Sequence, residues 1–459
     1  MKKKIALLLL TGMLGLFYTN NIIGAEVNIL PEFIVEVSRA GENWWGAGVQ
    51  YGRIIQLQHG ETPGRLLATF EELNAGIMPQ SPAFPIFASD DEGQTWNRIA
   101  EVRQFGGGVQ SEWQPHLFEL SQDVGLLRKG TVLLAGVSID AAHSTKTAIK
   151  LYASEDSGET WAYVSTVAEG YGLRPEPSRA IFEPFLMVTA DGVLVVFYAD
   201  ETQAELHSQK IVYRTSIDGI NWSETVNVVA LDEQRLRPGM PVVTRMGNGM
   251  YFMVYEIVGY GVHGFAGNPI YFRTSLDGLN WGDPRDVGTR VVAGGRALGS
   301  SPFVGWTPVG SENGTLIVSG MFMSQGSSRA GSDYFISHDF GATWTTRPHP
   351  IPYPNPTHFS GYSNSFSFSA DGETLFAINN RGIRNVNNDK ASIYFAVVRL
   401  VDENVENLPS EPDSNIYEVD DIAGNGERGS AGRIIFILLV CGGVALVVFS
   451  LFIIKRKLI

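Results

Sequence analysis

Residues 153–161 read ASEDSGETW, and their side chains describe a turn that locks itself. Ser154 and Asp156 can bond backbone amides two or three residues on. Gly158 supplies a backbone angle that a Cβ would resist. Trp161 offers a large apolar ring that can fold under neighbouring strands. The pattern S-x-D-x-G-x-T-W, or a shortened form of it, returns four times. SDDEGQTW carries Ser89, Asp91, Gly93 and Trp96, and SIDGINW carries Ser216, Asp218, Gly219 and Trp222. SLDGLNW carries Ser275, Asp277, Gly278 and Trp281, and SHDFGATW carries Ser337, Asp339, Gly341 and Trp344. From Ser89 through Ser154, Ser216 and Ser275 to Ser337 the steps are 65, 62, 59 and 62 residues. A period this regular marks a repeat architecture.

Each box follows a β-rich run: AFPIFAS, AIKLYAS, KIVYRTS, PIYFRTS and SDYFISH. These alternate in polarity and are rich in Ile, Val, Tyr and Phe, as half-buried strands are. Further strand-like runs lie between boxes, such as TVLLAGVSI, GVLVVFYAD, GMYFMVYEIV and GTLIVSGMF. One unit is therefore several strands and a box, about the size of a propeller blade. At the observed step, the β-rich region holds about six units. The expected fold is all-β, a six-bladed β-propeller. Its sixth unit is divided, with a weak box in SFSADGETL (Ser369, Asp371, Gly372), and FIVEVSR pairs with SIYFAVVRLV to close the ring. Closure removes an exposed sheet edge.

The chain has 459 residues, 44% of them hydrophobic, enough for a large core. A net charge of −14 argues against a surface that tracks phosphates, so no nucleic-acid partner is expected. The single cysteine, Cys441, allows no disulfide within the chain and no catalytic thiol in the globular part. Residues 1–25 read as a signal peptide, with a basic head and an apolar stretch. Residues 26–402 form the propeller, and residues 403–432 an acidic flexible stalk. Residues 433–459 hold one transmembrane helix, uncharged from 434 to 454, with Lys455, Arg456 and Lys457 placing its end in the cytoplasm. The expected design is a monomeric extracellular ring on a single-pass membrane anchor.

Chemistry must come from carboxylates. The eight histidines form no H-x-x-x-H or Cys/His cluster, and neither G-x-S-x-G nor a phosphate-binding loop is present. No metal and no cofactor are expected. Glu183 in IFEPFLMV and Glu256 in YFMVYEIVGY are charges at apolar strand ends, one repeat apart. Burial costs a carboxylate desolvation and raises its pKa, which suits a general acid. Each could instead cap a strand or pair with an arginine. Hydrolysis of a glycosidic bond needs two carboxyl groups across one sugar. Arg53 in YGRIIQL and Arg237 in LRPGMPVV can bind substrate, fix a carboxylate or form structural ion pairs. Trp44, Trp45, Trp113 and Trp306 can stack on a sugar or fill core.

The boxes resemble the Asp-boxes of sialidase-type propellers. Longer segments are similar to a narrower family, glycoside hydrolase family 93, the exo-1,5-α-L-arabinanases. These segments are YGRIIQL with RLLATFEE, AFPIFASDDEGQTW, WQPHLFEL, GTVLLAGVSI, FEPFLMV, HSQKIVYRTS, RPGMPVV, NGMYFMVYE and SSPFVGWTPVGSENGTLIVSG. The resemblance implies a six-bladed ring that cleaves arabinobiose from the non-reducing end of linear arabinan with retention. It makes Glu183 the nucleophile and Glu256 the acid/base, and sets Arg53, Arg237 and Tyr362 (in GYSNS) along the substrate, where Trp113 is the aromatic expected to stack on the sugar. The anchor, the stalk and the loops AEGYGLRPEPSRA and DETQAELHSQK depart from the family's pattern.

Two rival readings stand beside it. An exo-sialidase would need three arginines around a carboxylate, and YGRIIQ lacks the proline of that family's arginine motif. A non-catalytic glycan receptor or adhesin would leave Glu183 and Glu256 apart.

Overall fold

The structure is a computed structural model. It describes residues 27–401 apart from 40–43, 75–81, 104–109, 141–144, 174–177, 260–267, 326–327, 331–332, 354–359 and 384–389. The expected signal peptide, stalk and apolar span lie outside the described residues, within which no helix is long and apolar enough to cross a membrane.

The described chain is all strand and turn, organised as seven four-stranded sheets. Six are antiparallel meanders whose first strands face inward. Those inner strands are Trp44–Gln56, Gln110–Glu119, Ile181–Val188, Arg237–Arg245, Phe303–Thr307 and Ser365–Phe368. Each inner strand touches the next, and the last touches the first, so the sheets close into a β-propeller. Phe33–Arg39 supplies the fourth strand of the last sheet, pairing antiparallel with Lys390–Arg399 from Phe33 opposite Val397 to Arg39 opposite Ser392. This closure agrees with the expected pairing of the chain ends. A seventh, smaller sheet of short strands, Val292–Ala293, Arg296–Gly299, Phe322–Gln325 and Ser328–Ala330, extends from the fourth and fifth repeats.

The core lies between neighbouring sheets. Phe70 and Phe87 of the first sheet meet Phe376, Ile393 and Phe395 of the last. Leu67, Phe84 and Ile86 meet Leu117, Leu134 and Tyr152 of the second. Each fully buried ring or aliphatic side chain contributes about 1.5–3 kcal/mol relative to exposure. Strands buried on both faces explain why runs such as LVVFYAD carry almost no polar residue.

The five boxes join third strands to fourth strands. Ser154 Oγ donates to Asp156 Oδ1 (2.8 Å) and accepts from the Gly158 N–H (2.8 Å), and Trp161 Nε1 donates to Gly158 O (2.9 Å). Ser89 and Ser337 repeat this closure. The box glycine is required twice over at Gly93. Its φ is +88°, and a Cβ would stand 1.9 Å from the Phe395 ring.

The expected sixth box is corrected. SFSADGETL joins the first strand of the last sheet, Ser365–Phe368, to the second, Thr374–Ile383, and so is a hairpin turn. A box cannot form there, because the third and fourth strands of that sheet come from opposite ends of the chain.

The inner strands share a second device. Tyr51, Gln114, Glu183 and Met240 have φ between 54° and 61°, each within a register shift of its strand. Ser301 and Ser363, at 51° and 52°, stand just before the fifth and sixth inner strands. Proline follows four of these six residues, as Pro115, Pro184, Pro241 and Pro302. A left-handed non-glycine residue costs about 1–2 kcal/mol. Bulges that recur in this way re-aim side chains and mark functional sites.

Candidate active site

The ring of bulges gathers the chemistry. Glu183 sits on the third of them. Its N–H donates to Gln114 Oε1 (2.9 Å), and its own Oε2 accepts the N–H of Met240 (2.6 Å) on the next bulge. Glu256 lies on the second strand of that next sheet, paired in register with Gly239, and its Oε2 accepts the N–H of Ser301 (2.9 Å). The segment Gly239-Met240 is thus a wall shared by both carboxylates. It must be bare: a Cβ on Gly239 would stand 3.0 Å from Glu183 Oε2 and 2.5 Å from Gln209 Nε2.

The electrostatics tie the two acids together. Burial pushes Glu183 up to about 8, with the charge of Glu256 as the next contribution, against the N–H of Met240 and the charge of Arg237. Burial also raises Glu256, opposed by Ser301 N–H, the Asn268 side chain and Arg237. The charge of Glu256 acts on Glu183, so ionising both carboxyls at once is disfavoured in this desolvated site. Arg237 opens the inner strand beside them and donates to Glu201, a buried carboxylate, and to Gln209 Oε1 (2.8 Å).

A third acid belongs to the same ring. Glu71, buried, accepts the N–H of Gln114 (2.8 Å) and the amide of Gln50 (2.8 Å). Burial lifts it to about 7, against those two donors and the charge of Arg53. Tyr362 and Tyr51 stand with ring centroids 6.2 Å apart. Burial raises the Tyr362 hydroxyl, and Glu183 is the largest charge acting on it. Among the described residues, no group of three His, Cys, Asp or Glu is arranged to hold a metal ion.

A cavity of about 500 Å³ lies further along the inner strands, lined by Ile55, Leu117, Met187, Val243, Gly305 and Phe366 among others. Glu71, Glu183, Glu256 and Tyr362 do not line it, so this cavity and the acid cluster have separate linings.

Solved structures share this fold. An α-L-arabinanase of Penicillium chrysogenum, solved with arabinobiose, is 33% identical with a TM-score of 0.66, the match covering 80% of this chain and 98% of that one. The family 93 α-L-arabinofuranosidase of Fusarium graminearum, also solved with arabinobiose, is 31% identical with a TM-score of 0.66, covering 82% and 98%. The chain belongs to glycoside hydrolase family 93. As a member of this family it is a glycosidase. A sialidase of Streptococcus pneumoniae, 10% identical with a TM-score of 0.54 and covering 80% and 70%, shares the fold alone. No family model and no curated protein matches the chain.

Within this family 93 site, the expected residues divide. Glu183, Glu256, Arg237 and Tyr362 come together. Arg53 is buried beneath them, 4.1 Å from the Tyr51 ring centroid, and donates to Gly52 O, Ser363 O and Ser363 Oγ. Its guanidinium holds the first and last inner strands together. Trp113 packs its ring on the core between the second and third sheets and donates to Ser111 Oγ (2.8 Å). Trp306 lies at the far end of its strand, beside the cavity. The side chains of Trp44 and Trp45 lie outside those described. Glu71, Gln114, Gln50 and Gln209 were not anticipated. The recurring X-Pro of the inner strands is the signal that finds Gln114.

Proposed function

We propose that this chain is a retaining exo-glycosidase of six blades that releases arabinobiose from the non-reducing end of linear arabinan. The observation that carries the chemistry is that two buried carboxyls, Glu183 and Glu256, adjoin the one segment Gly239-Met240, with the charge of Glu256 acting on Glu183. One carboxyl, protonated, gives its proton to the leaving glycosidic oxygen. The other, ionised, attacks the anomeric carbon and forms a glycosyl ester. The first then takes a proton from water, which attacks the anomeric carbon, expels the carboxylate and frees the sugar with its configuration retained. Arg237 opposes the rise of both carboxyls, which keeps one of them ionised.

The resemblance makes Glu183 the nucleophile and Glu256 the acid/base. The electrostatics favour the reverse order, because burial and the charge of Glu256 raise Glu183 to about 8. Both orders use the same pair. The sialidase reading is disfavoured by charge: Glu71, Glu183, Glu201 and Glu256 crowd the site that a carboxylated sugar would enter. The receptor reading is disfavoured by the coupling of Glu183 to Glu256.

We place the ring outside the cell, held to a membrane by the apolar stretch 434–454, and resistance of the full chain to alkaline extraction from membranes tests this. The test of activity is digestion of debranched arabinan with analysis of the products. A disaccharide is expected from the wild-type protein and none from Glu183→Gln or Glu256→Gln. Absence of any product from the wild type overturns the reading.

A further inference from the structure

Successive bulges are joined by a chain of hydrogen bonds that runs from sheet to sheet. The Gln50 amide holds one oxygen of Glu71, and the other oxygen accepts Gln114 N–H. Gln114 Oε1 accepts Glu183 N–H, and Glu183 Oε2 accepts Met240 N–H. In each of the last three links, a backbone N–H freed by the bulge meets a polar side chain of the preceding sheet. Glu71 and Gln114 are both buried, and neither lies among the residues expected to act on substrate.

Such a chain has a cost that simple stability does not explain. Buried polar groups gain little over well-packed apolar ones, and a partly satisfied chain is worse than none. What it supplies is direction. Glu183 has φ of 61°, a conformation its side chain resists, and its N–H has Gln114 as partner. Without that partner the bulge would relax toward the extended backbone of its strand, and the carboxylate would swing off the Met240 N–H. The first acid of the chain therefore sets the direction of the last.

We propose that Gln114, held in place by Glu71, is the positioning residue for the Glu183 carboxylate. The proposal rests on the reading of Glu183 as one of the catalytic pair, but its geometric part stands without it. The link also explains the residue types. Position 114 needs an acceptor long enough to cross between inner strands, and position 71 needs two acceptor oxygens on one fixed group.

The test uses Gln114→Ala and Gln114→Glu in the full chain. Removing the acceptor is expected to lower kcat on linear arabinan on the order of a hundredfold, since a displacement of about 1 Å at a reacting group has that effect. KM should change less than threefold, because the carboxylate acts in the transition state. Gln114→Glu keeps an acceptor oxygen at the same reach and is expected to restore kcat to within about tenfold of wild type. Equal losses in both variants, or a loss confined to KM, overturn the proposal. Crystal structures of the two variants provide the arm that needs no substrate. Glu183 should lose its Met240 contact in Gln114→Ala and keep it in Gln114→Glu. Glu183 unmoved in the alanine variant refutes the positioning role, even if the wild type proves inactive on arabinan. Inactivity of the wild type with Glu183 displaced in the variant refutes only the substrate.

Discussion

Replacing Glu183 by Gln should change how stability depends on pH, and the sign follows from the direction of its shift. The carboxyl rises from an ordinary 4.5 to about 8 on folding, chiefly through burial. Between those values the folded protein binds a proton that the unfolded chain releases. Its contribution to stability is complete below pH 4.5 and is lost as pH climbs through 8. At about 1.4 kcal/mol per pH unit, that interval sets a ceiling near 5 kcal/mol. The side chain keeps part of its surface open to the site, so solvent screening brings the figure nearer 2–3 kcal/mol. Residues Val27 to Val401 number 375, which at about 2.1 cal/mol/K each gives an unfolding entropy of about 0.8 kcal/mol/K. The wild type should therefore lose about 3 °C in Tm between pH 5 and 9 that Glu183→Gln does not lose. The assay is thermal unfolding of both proteins by circular dichroism at one-unit steps of pH. Melting temperatures that run parallel across that range refute the argument, because they would mean that Glu183 is as easily ionised in the fold as outside it.

Azide added to the alanine variants separates the two orders of the pair. The nucleophile's variant should yield a glycosyl azide of inverted configuration and the acid/base variant a retained one, and the raised Glu183 carboxyl predicts inversion from Glu256→Ala; inversion from Glu183→Ala instead restores the order implied by the resemblance. Arg237→Met takes a positive charge from both carboxyls and from Glu201, so kcat/KM should fall at least tenfold and the alkaline limb of its pH profile should move up; an unmoved limb removes Arg237 from the site. Gly93→Ala forces a Cβ into the Phe395 ring and should cost about 3 kcal/mol or more, seen as a Tm drop near 4 °C. Gly64→Ala, with the same sign of φ and open space around it, should cost about 1 kcal/mol, and equal losses at the two sites would refute the packing argument.

Much of the architecture was legible because its signals are local. Each box closes on itself within about eight residues, so its Ser, Asp, Gly and Trp are written together wherever a third strand turns into a fourth. The end-to-end closure was legible because FIVEVSR and SIYFAVVRLV are both strand-like and lie at the two ends of the repeat region. The sixth box misled because Ser-x-Asp-Gly also suits a short hairpin. Ser369 and Asp371 bond each other as box residues do, and only the strand order distinguishes the two turns.

The site divides along the same line, between what a residue's own neighbours reveal and what a distant strand decides. Glu183 and Glu256 were legible because a charge set among Phe, Leu, Met and Val must be paired or used. Glu71 was hidden because TFEELN offers two adjacent acids, and nothing nearby says that the first is buried within the ring while the second pairs with Arg98. Arg53 and Trp113 have contacts that their own segments do not reveal. Their segments border the site, but the bulges at Tyr51 and Gln114 shift the register, so that Arg53 turns to Ser363 and Trp113 to the core. A bulge reverses which face a strand residue addresses. The left-handed residue before Pro115, Pro184, Pro241 and Pro302 supplies the Glu183 carboxyl, the Gln114 amide and the Met240 and Ser301 N–H groups of the site. Its recurrence at four of the six inner strands makes the acid cluster a property of the repeat as much as of any single carboxylate.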